Sequence, residues 1–191
     1  MSVVPGARPR KGAPFAPPAA PASMTRRAVG LLSGGLDSTL AIHLMREQGI
    51  DVHVLHFAGP FGCDEDAFRR VEERLGIRVT VLRKDEEYLD LVRDPKYGYG
   101  RNMNPCIDCR AYMFLRARAF ADDCGASFLF TGEVLGQRPM SQTLSSIRTI
   151  DRESGMEGYV LRPLSARHLP PTVPEREGIV DRSRLLAIQG R

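Results

Sequence analysis

From residue 27 onward, short apolar runs alternate with longer stretches in which apolar residues recur at helical spacing. Ala28-Val29-Gly30-Leu31-Leu32 reads as a buried strand. Val52 to Phe57, Ile77 to Leu82, Ser127 to Thr131 and Tyr159 to Leu161 read as four more. After the first strand, Leu36, Leu40 and Leu44 fall at i, i+4 and i+8, which predicts an amphipathic helix with these leucines on one face. Residues 64–75 predict a charged helix closed by Gly76. Pro105 suits a helix start, and Met113, Ala117, Phe120 and Cys124 then share a face. Between these, Asp94-Pro95 and Gly98-Tyr99-Gly100 interrupt any regular element, so residues 85–104 predict a short helix and then a loop. Strands alternating with helices predict an α/β fold, a parallel five-stranded sheet with helices on both faces. In such sheets ligands gather beyond the carboxyl ends of the strands, and the residues just after each strand are the ones to examine.

Residues 1–23 break the pattern. They hold six Pro and six Ala and no hydrophobic period, the composition of a segment that stays disordered. The division expected is a leader over 1–24 and a folded domain over 25–191, with synthesis starting at Met24 as the simpler reading of the leader. The formal charge is +4, but Arg8, Arg10 and Lys11 lie in the leader, which has no acid. The body is therefore near neutral, and net charge argues only weakly for a nucleic-acid partner. A local patch formed by Arg69, Arg70, Arg110, Arg116 and Arg118 remains an expectation. No apolar run is long enough for a bilayer, so no membrane is expected and a cytoplasmic location is the default. Four cysteines without a secretory signal point to reduced thiols in catalytic or metal-binding roles.

Ser33-Gly34-Gly35-Leu36-Asp37-Ser38 sits between the first strand and its helix. Adjacent glycines let backbone approach a ligand and take positive φ. The helix start offers unpaired N–H groups and a positive dipole end, which suit a phosphate. Ser33 and Ser38 add hydroxyls. Asp37 is a poor direct phosphate contact and a good holder of Mg²⁺ between itself and the phosphates.

Asn104-Pro105-Cys106-Ile107-Asp108-Cys109 opens a helix, and thiols three apart share a face. The positive end of a helix favours thiolate. Cys106 and Cys109 have the chemistry to carry persulfide sulfur, to form a disulfide, or to ligate a metal or an iron–sulfur cluster. Cys124 reads as core. Cys63 follows the second strand and is either a third cluster ligand or a loop residue.

Thr131-Gly132-Glu133-Val134-Leu135-Gly136-Gln137 follows the fourth strand. Gly132 allows close backbone approach, and Glu133 or Gln137 can bond a nucleotide, a substrate base or Mg²⁺.

The Ser33–Ser38 motif resembles the signature of the PP-loop ATP pyrophosphatases, and no Walker A run is present. The cysteine pair is similar to that of tRNA 2-thiouridylases and cluster-dependent thiolases. Thr131 to Gln137, then Ser141-Gln142-Thr143-Leu144 and Leu161-Arg162-Pro163-Leu164, resemble the catalytic domain of tRNA 4-thiouridine synthase. The resemblance covers about residues 27–165. It implies a Rossmann-like fold of the adenine nucleotide alpha hydrolase type, with ATP and Mg²⁺ as cofactors and, in some relatives, a [4Fe–4S] cluster. It implies adenylation of a uridine oxygen with release of pyrophosphate, followed by sulfur transfer. Ser33, Gly34, Gly35 and Ser38 then hold pyrophosphate, Asp37 holds Mg²⁺, and His56 and Phe57 lie near the adenine. The partners implied are tRNA and a sulfur donor, protein or sulfide. An RNA-binding partner chain and a homodimer are further expectations. The chain departs from the relatives in lacking a cysteine after Cys124, and relatives continue past its final residues, so it reads as shortened. The competing expectations are a PP-loop enzyme that adenylates a small molecule and a nucleotide-binding subunit that depends on a partner.

Overall fold

The computed structural model describes residues 25–59 and 72–190. Five strands form one parallel sheet: β1 (Arg27–Leu31), β2 (Asp51–Ala58), β3 (Val79–Arg83), β4 (Phe128–Thr131) and β5 (Val160–Leu161). Their order is β3-β2-β1-β4-β5, so the first strand lies at the centre and the chain reverses direction of travel between β3 and β4. Such a reversal opens a crevice at the carboxyl ends of the central strands. Among the described residues the sheet is accompanied by helices α1 (Leu36–Glu47), α2 (Glu86–Arg93), α3 (Cys106–Cys124), α4 (Leu144–Glu153) and the short α5 (Val173–Arg176).

The period-two alternation of the strands divides the core. Ala28, Leu32, Val54, Phe128 and Phe130 face α1 and the C-terminal segment, packing with Ala41, Ile42, Met45, Val180 and Leu185. Val29, Leu31, Leu55 and Leu129 face the other way, against Phe114, Ala117, Ala121 and Ile150 of α3 and α4. Gly30 is required at the sheet centre because a Cβ there would lie 2.4 Å from the ring of Phe130.

The α/β expectation holds, with two local corrections. The leucine stripe of α1 only borders its core face: Leu36 is 81% exposed and Leu44 is half-buried against the core, while the helix fully buries Ser38, Ala41, Ile42 and Met45. The start of that helix serves the loop before it, which turns Leu36 outward. Arg110 and Arg116 do not form a basic patch, since each faces an acid: Glu133 at 3.2 Å and Asp85 at 3.4 Å. Arg69, Arg70, Cys63, the leader and most of the helix expected at 64–75 lie outside the described residues. Among the described residues no helix is long and apolar enough to cross a membrane.

Candidate active site

The loop between β1 and α1 is held by its own hydroxyls. Gly34 takes a left-handed φ of 83°, which turns the chain sharply after Ser33. Ser38 Oγ donates to the Gly35 carbonyl at 2.9 Å and accepts from the Ser33 amide at 3.3 Å. Ser33 Oγ lies 3.2 Å from Ser38 Oγ. Gly35 caps α1 with extended backbone and no side-chain cap, so the first turn presents bare amides. These are the donors that bind an anion at a helix N-terminus.

Gly132 explains why this loop and the strand after it belong together. A Cβ on Gly132 would lie 2.4 Å from the Ser38 amide nitrogen and 2.5 Å from the Asp37 carbonyl carbon. The close approach expected of Gly132 is thus made to the backbone of the phosphate loop. Gln137, further along the same segment, donates from Nε2 to Asp37 Oδ2 at 3.1 Å. The amide thus fixes one of the Asp37 carboxylate oxygens.

A cleft of about 450 Å³ opens above these residues, at the carboxyl ends of β1, β2 and β4. That size suits a small-molecule or nucleotide site. Ser33, Asp37, Ser38, His56, Phe57, Cys106, Cys109, Gly132 and Gln137 all line it. Gly34 and Gly35 lie in the loop beside it. His56 Nδ1 is 3.0 Å from the Leu32 carbonyl, which assigns it the ring proton. Burial holds this imidazole below its ordinary value, with the Lys84 charge adding to burial and the Leu32 carbonyl opposing it. The ring is therefore neutral near pH 7.

The cysteine pair approaches from the opposite wall. Pro105 is the cap residue of α3, one position earlier than a first helical residue, and Cys106 begins the helix. Both thiols are partly buried and unbridged. Lys84, at the end of β3, places its ammonium 3.6 Å from Cys109 Sγ and 4.2 Å from the centre of the Tyr88 ring. The Tyr88 phenol is pushed up to about 12 by burial and by the neighbouring thiols and Tyr112. Neither Lys84 nor Tyr88 stood out in the sequence, because nothing near them in the chain marks them as neighbours of the cysteines. Among the described residues no group of three or more His, Cys, Asp and Glu is arranged to hold a metal, so the pair has no third ligand there. Cys124 lies on the inner face of α3 against the core, and burial raises its thiol.

Glu133 and residues after β4 have structural tasks. Glu133, 3% exposed, turns Oε2 to Arg162 Nε at 3.0 Å and Oε1 to Arg110 Nε at 3.2 Å. The second contact is an ion pair without a directed hydrogen bond, because the Arg110 N–H does not point at the oxygen. Burial opposes the charge on Glu133, but the two guanidinium groups outweigh it and hold the carboxyl below its ordinary value. Arg162 in turn makes a bidentate pair with Asp151 at 2.8 and 3.0 Å. Thr143 is the N-cap of α4, accepting from the Ser146 amide at 3.1 Å. Ser141 and Gln142 line the cleft wall, each 3% exposed, and the Gln142 Oε1 is buried with no hydrogen-bond partner among the described residues.

Comparison with known proteins agrees with this geometry. The family described as thiamine biosynthesis protein (ThiI) matches residues 23–168. The tRNA-specific 2-thiouridylase MnmA of Bartonella quintana is 31% identical over 144 residues, covering 66% of this chain and 35% of that protein. That of Trichlorobacter lovleyi is 31% identical over 157 residues, covering 76% of this chain and 44% of its own length. The chain thus spans less than half of these curated relatives. In fold it is similar to a predicted subunit of tRNA methyltransferase from Methanocaldococcus jannaschii, with a TM-score of 0.52, 16% identity and coverage of 84% of this chain and 91% of that one. With a phosphate loop, a cysteine pair and a Gly132–Gln137 segment on one cleft, and a family match over most of its length, the chain belongs to the ThiI family.

Proposed function

We propose that this domain uses ATP to activate a uridine of tRNA for replacement of oxygen by sulfur. The observation that carries the proposal is that the phosphate loop and the cysteine pair open on the same cleft. The relatives named 2-thiouridylases support tRNA as the substrate.

In this reading the uridine carbonyl oxygen attacks the α-phosphorus. The bond from that phosphorus to the bridging oxygen breaks, and pyrophosphate leaves. Ser33, Gly34, Gly35 and Ser38 receive the pyrophosphate through backbone amides and hydroxyls. Asp37, steadied by Gln137, holds Mg²⁺, which neutralises phosphate charge when bound. His56 and Phe57 border the adenine end. A persulfide on one cysteine then attacks the activated carbon, and AMP departs with the former carbonyl oxygen. The other cysteine attacks the sulfur–sulfur bond and releases the thiolated base. The pair is left as a disulfide, which a dithiol reductant reopens. In the cytoplasm the outer persulfide sulfur is transferred from the persulfide of a donor protein, whose own thiol leaves; sulfide, already fully reduced, forms the persulfide only by opening the Cys106–Cys109 disulfide, which frees the other thiol. An RNA-binding partner chain, or a second copy of this chain, supplies RNA contacts beyond the cleft. A [4Fe–4S] cluster is the alternative use of the pair and needs a ligand beyond Cys106 and Cys109. The described residues do not offer one.

The test is formation of AMP, pyrophosphate and thiolated nucleoside by protein purified without oxygen, with tRNA, MgATP, a persulfide-bearing donor protein and dithiol. Stoichiometric AMP and thiouridine are expected. ATP cleavage stimulated by a small metabolite and indifferent to tRNA would overturn the proposal. Iron content of the same preparation separates the thiol and cluster routes.

A further inference from the structure

Residues 186–190 lie as an extended strap between the chain that follows β5 and the loop that follows β4. The Leu186 amide donates to the Pro163 carbonyl at 2.9 Å, and the Ile188 amide to Leu164 at 2.8 Å. On the other side the Gly190 amide donates to the Leu135 carbonyl at 2.7 Å, where Leu135 and Gln189 form a parallel bridge. Ser165, wholly buried, ties both sides: its hydroxyl accepts from the Leu135 amide at 2.9 Å and donates to the Ile188 carbonyl at 2.6 Å.

The strap ends with backbone packed on backbone. A Cβ on Gly190 would lie 2.5 Å from both the amide nitrogen and the Cα of Gln137, and 2.7 Å from the Gly136 carbonyl carbon. Gly136 is left-handed at φ 79°, and a Cβ there would meet the Gly190 carbonyl oxygen at 3.3 Å. Neither side can yield by turning a side chain. Gln137 itself is exposed, yet its amide is the hydrogen-bond partner of Asp37 among the described residues. A long exposed side chain holds one position only if its backbone is seated from behind. The strap provides that seat, and none of its residues lines the cleft.

We infer that residues 186–190 are a positioning element for the phosphate site, and that Gly190 acts by seating Gln137 so that its amide orients the Asp37 carboxylate. The inference rests on the reading of Asp37 and its loop as the MgATP site. Partners that orient a metal-holding carboxylate affect affinity by about 10- to 100-fold. A Cβ at Gly190 displaces the Gln137 backbone by about 1 Å, the difference between 2.5 Å and an ordinary carbon contact.

The experiment compares the full chain with Gly190→Ala, Ser165→Ala, Gln137→Ala and the Gly190→Ala/Gln137→Ala double variant. It measures binding of α,β-methylene-ATP with and without Mg²⁺, amide hydrogen exchange across residues 133–142 in the nucleotide-free protein, and Tm. Gly190→Ala is expected to weaken Mg²⁺-dependent binding about tenfold and to speed exchange at residues 135–138, and Ser165→Ala to do the same more weakly. Gly190→Ala is expected to add nothing to the loss already caused by Gln137→Ala. Additive losses in the double variant, or unchanged exchange at 135–138, would overturn the inference. A Tm lowered by Gly190→Ala without the Mg²⁺-specific loss would also overturn it, as a merely structural effect. If the wild-type chain binds no nucleotide, the site reading fails, and the exchange comparison alone still decides whether the strap seats Gln137.

Discussion

The two walls of the cleft are built in different ways. The phosphate wall is local: Ser33, Gly35 and Ser38 bond to one another within six residues of chain. The cysteine wall is assembled from distance. Lys84 reaches Cys109 across 25 positions, Arg110 faces Glu133, and Glu133 meets Arg162 across 29. The first wall is backbone and hydroxyl, with a left-handed glycine. The second is charge, buried to the extent that Glu133 and Arg162 are each 3% exposed. The hydroxyl bonds inside that loop survive change elsewhere in the fold, while its Asp37 carboxylate and its backbone still lean on Gln137 and Gly132. A wall made of buried ion pairs ties the position of the thiols to the integrity of the sheet.

The comparison is broken most sharply at the thiols. Cys106→Ser and Cys109→Ser are each expected to lower thiolated-nucleoside formation by about a thousandfold or more, the scale of losing a nucleophile. The affinity for MgATP stays unchanged, since the phosphate wall is separate. Mass spectrometry of tRNA nucleosides and calorimetric nucleotide binding check the two halves, and a parallel loss of nucleotide binding would show the walls to be one unit. Next in size is Glu133→Gln, which removes the carboxylate between two guanidinium groups. A loss of about 3 kcal/mol in unfolding free energy is expected, because breaking one partner of a buried pair strands the other. The folded-state value of Glu133 lies below its unfolded one, so its contribution is complete above the ordinary glutamate range of about 4.3 and fades as pH falls below it. Urea titrations at pH 7 and pH 4 should show the gap between wild type and variant narrowing at the lower pH; a constant gap refutes the charge argument. Gly132→Ala follows. Its Cβ would enter the backbone of Asp37 and Ser38, and a displacement near 1 Å at a phosphate site costs about a hundredfold in kcat/KM for ATP. Steady-state pyrophosphate release measures it, and activity within threefold of wild type would mean that the two segments separate freely.

The same contrast decides what could be read from the chain. Strands β1, β2 and β4 were legible because each is a short apolar run with turn residues around it. The phosphate loop was legible because its hydrogen bonds close within six residues, so that the order of residues alone describes the geometry. α1 was legible as a helix but not in its orientation: the leucine stripe suggested one face, and the demands of the loop exposed Leu36 and buried Ser38. Glu133 was identified as important with its role left open, because its partners Arg110 and Arg162 lie 23 and 29 residues away. Lys84 and Tyr88 were missed entirely. Each is an ordinary residue at the end of a strand or on a charged helix, and only the crossover from β3 to α3 brings them to the thiols.

Lys84 therefore gives the finest test of the distinction, with the smallest effect. Its ammonium sits 3.6 Å from Cys109 Sγ and over the Tyr88 ring at 4.2 Å, and the side chain is partly exposed. A half-exposed charge is screened by solvent and salt, so its influence on sulfur is modest. Lys84→Met keeps the length of the side chain and removes the charge. Alkylation of Cys109 by iodoacetamide, read in a Cys106→Ser background, is expected to slow about threefold at low salt, consistent with an interaction below about 1 kcal/mol. Raising the ionic strength should narrow the difference, because the wild-type advantage is electrostatic. Nucleotide affinity should stay within twofold, since Lys84 has no contact with the phosphate loop among the described residues. Lys84 also adds to the lowering of His56, so the variant should let that imidazole rise slightly toward its ordinary value. A proton NMR titration of His56 reads this directly. If alkylation is unchanged while His56 still shifts, the ammonium acts on the His56 side of the cleft and not on the sulfur. The boundary between the two walls would then run between Lys84 and Cys109 and not between β1 and α3.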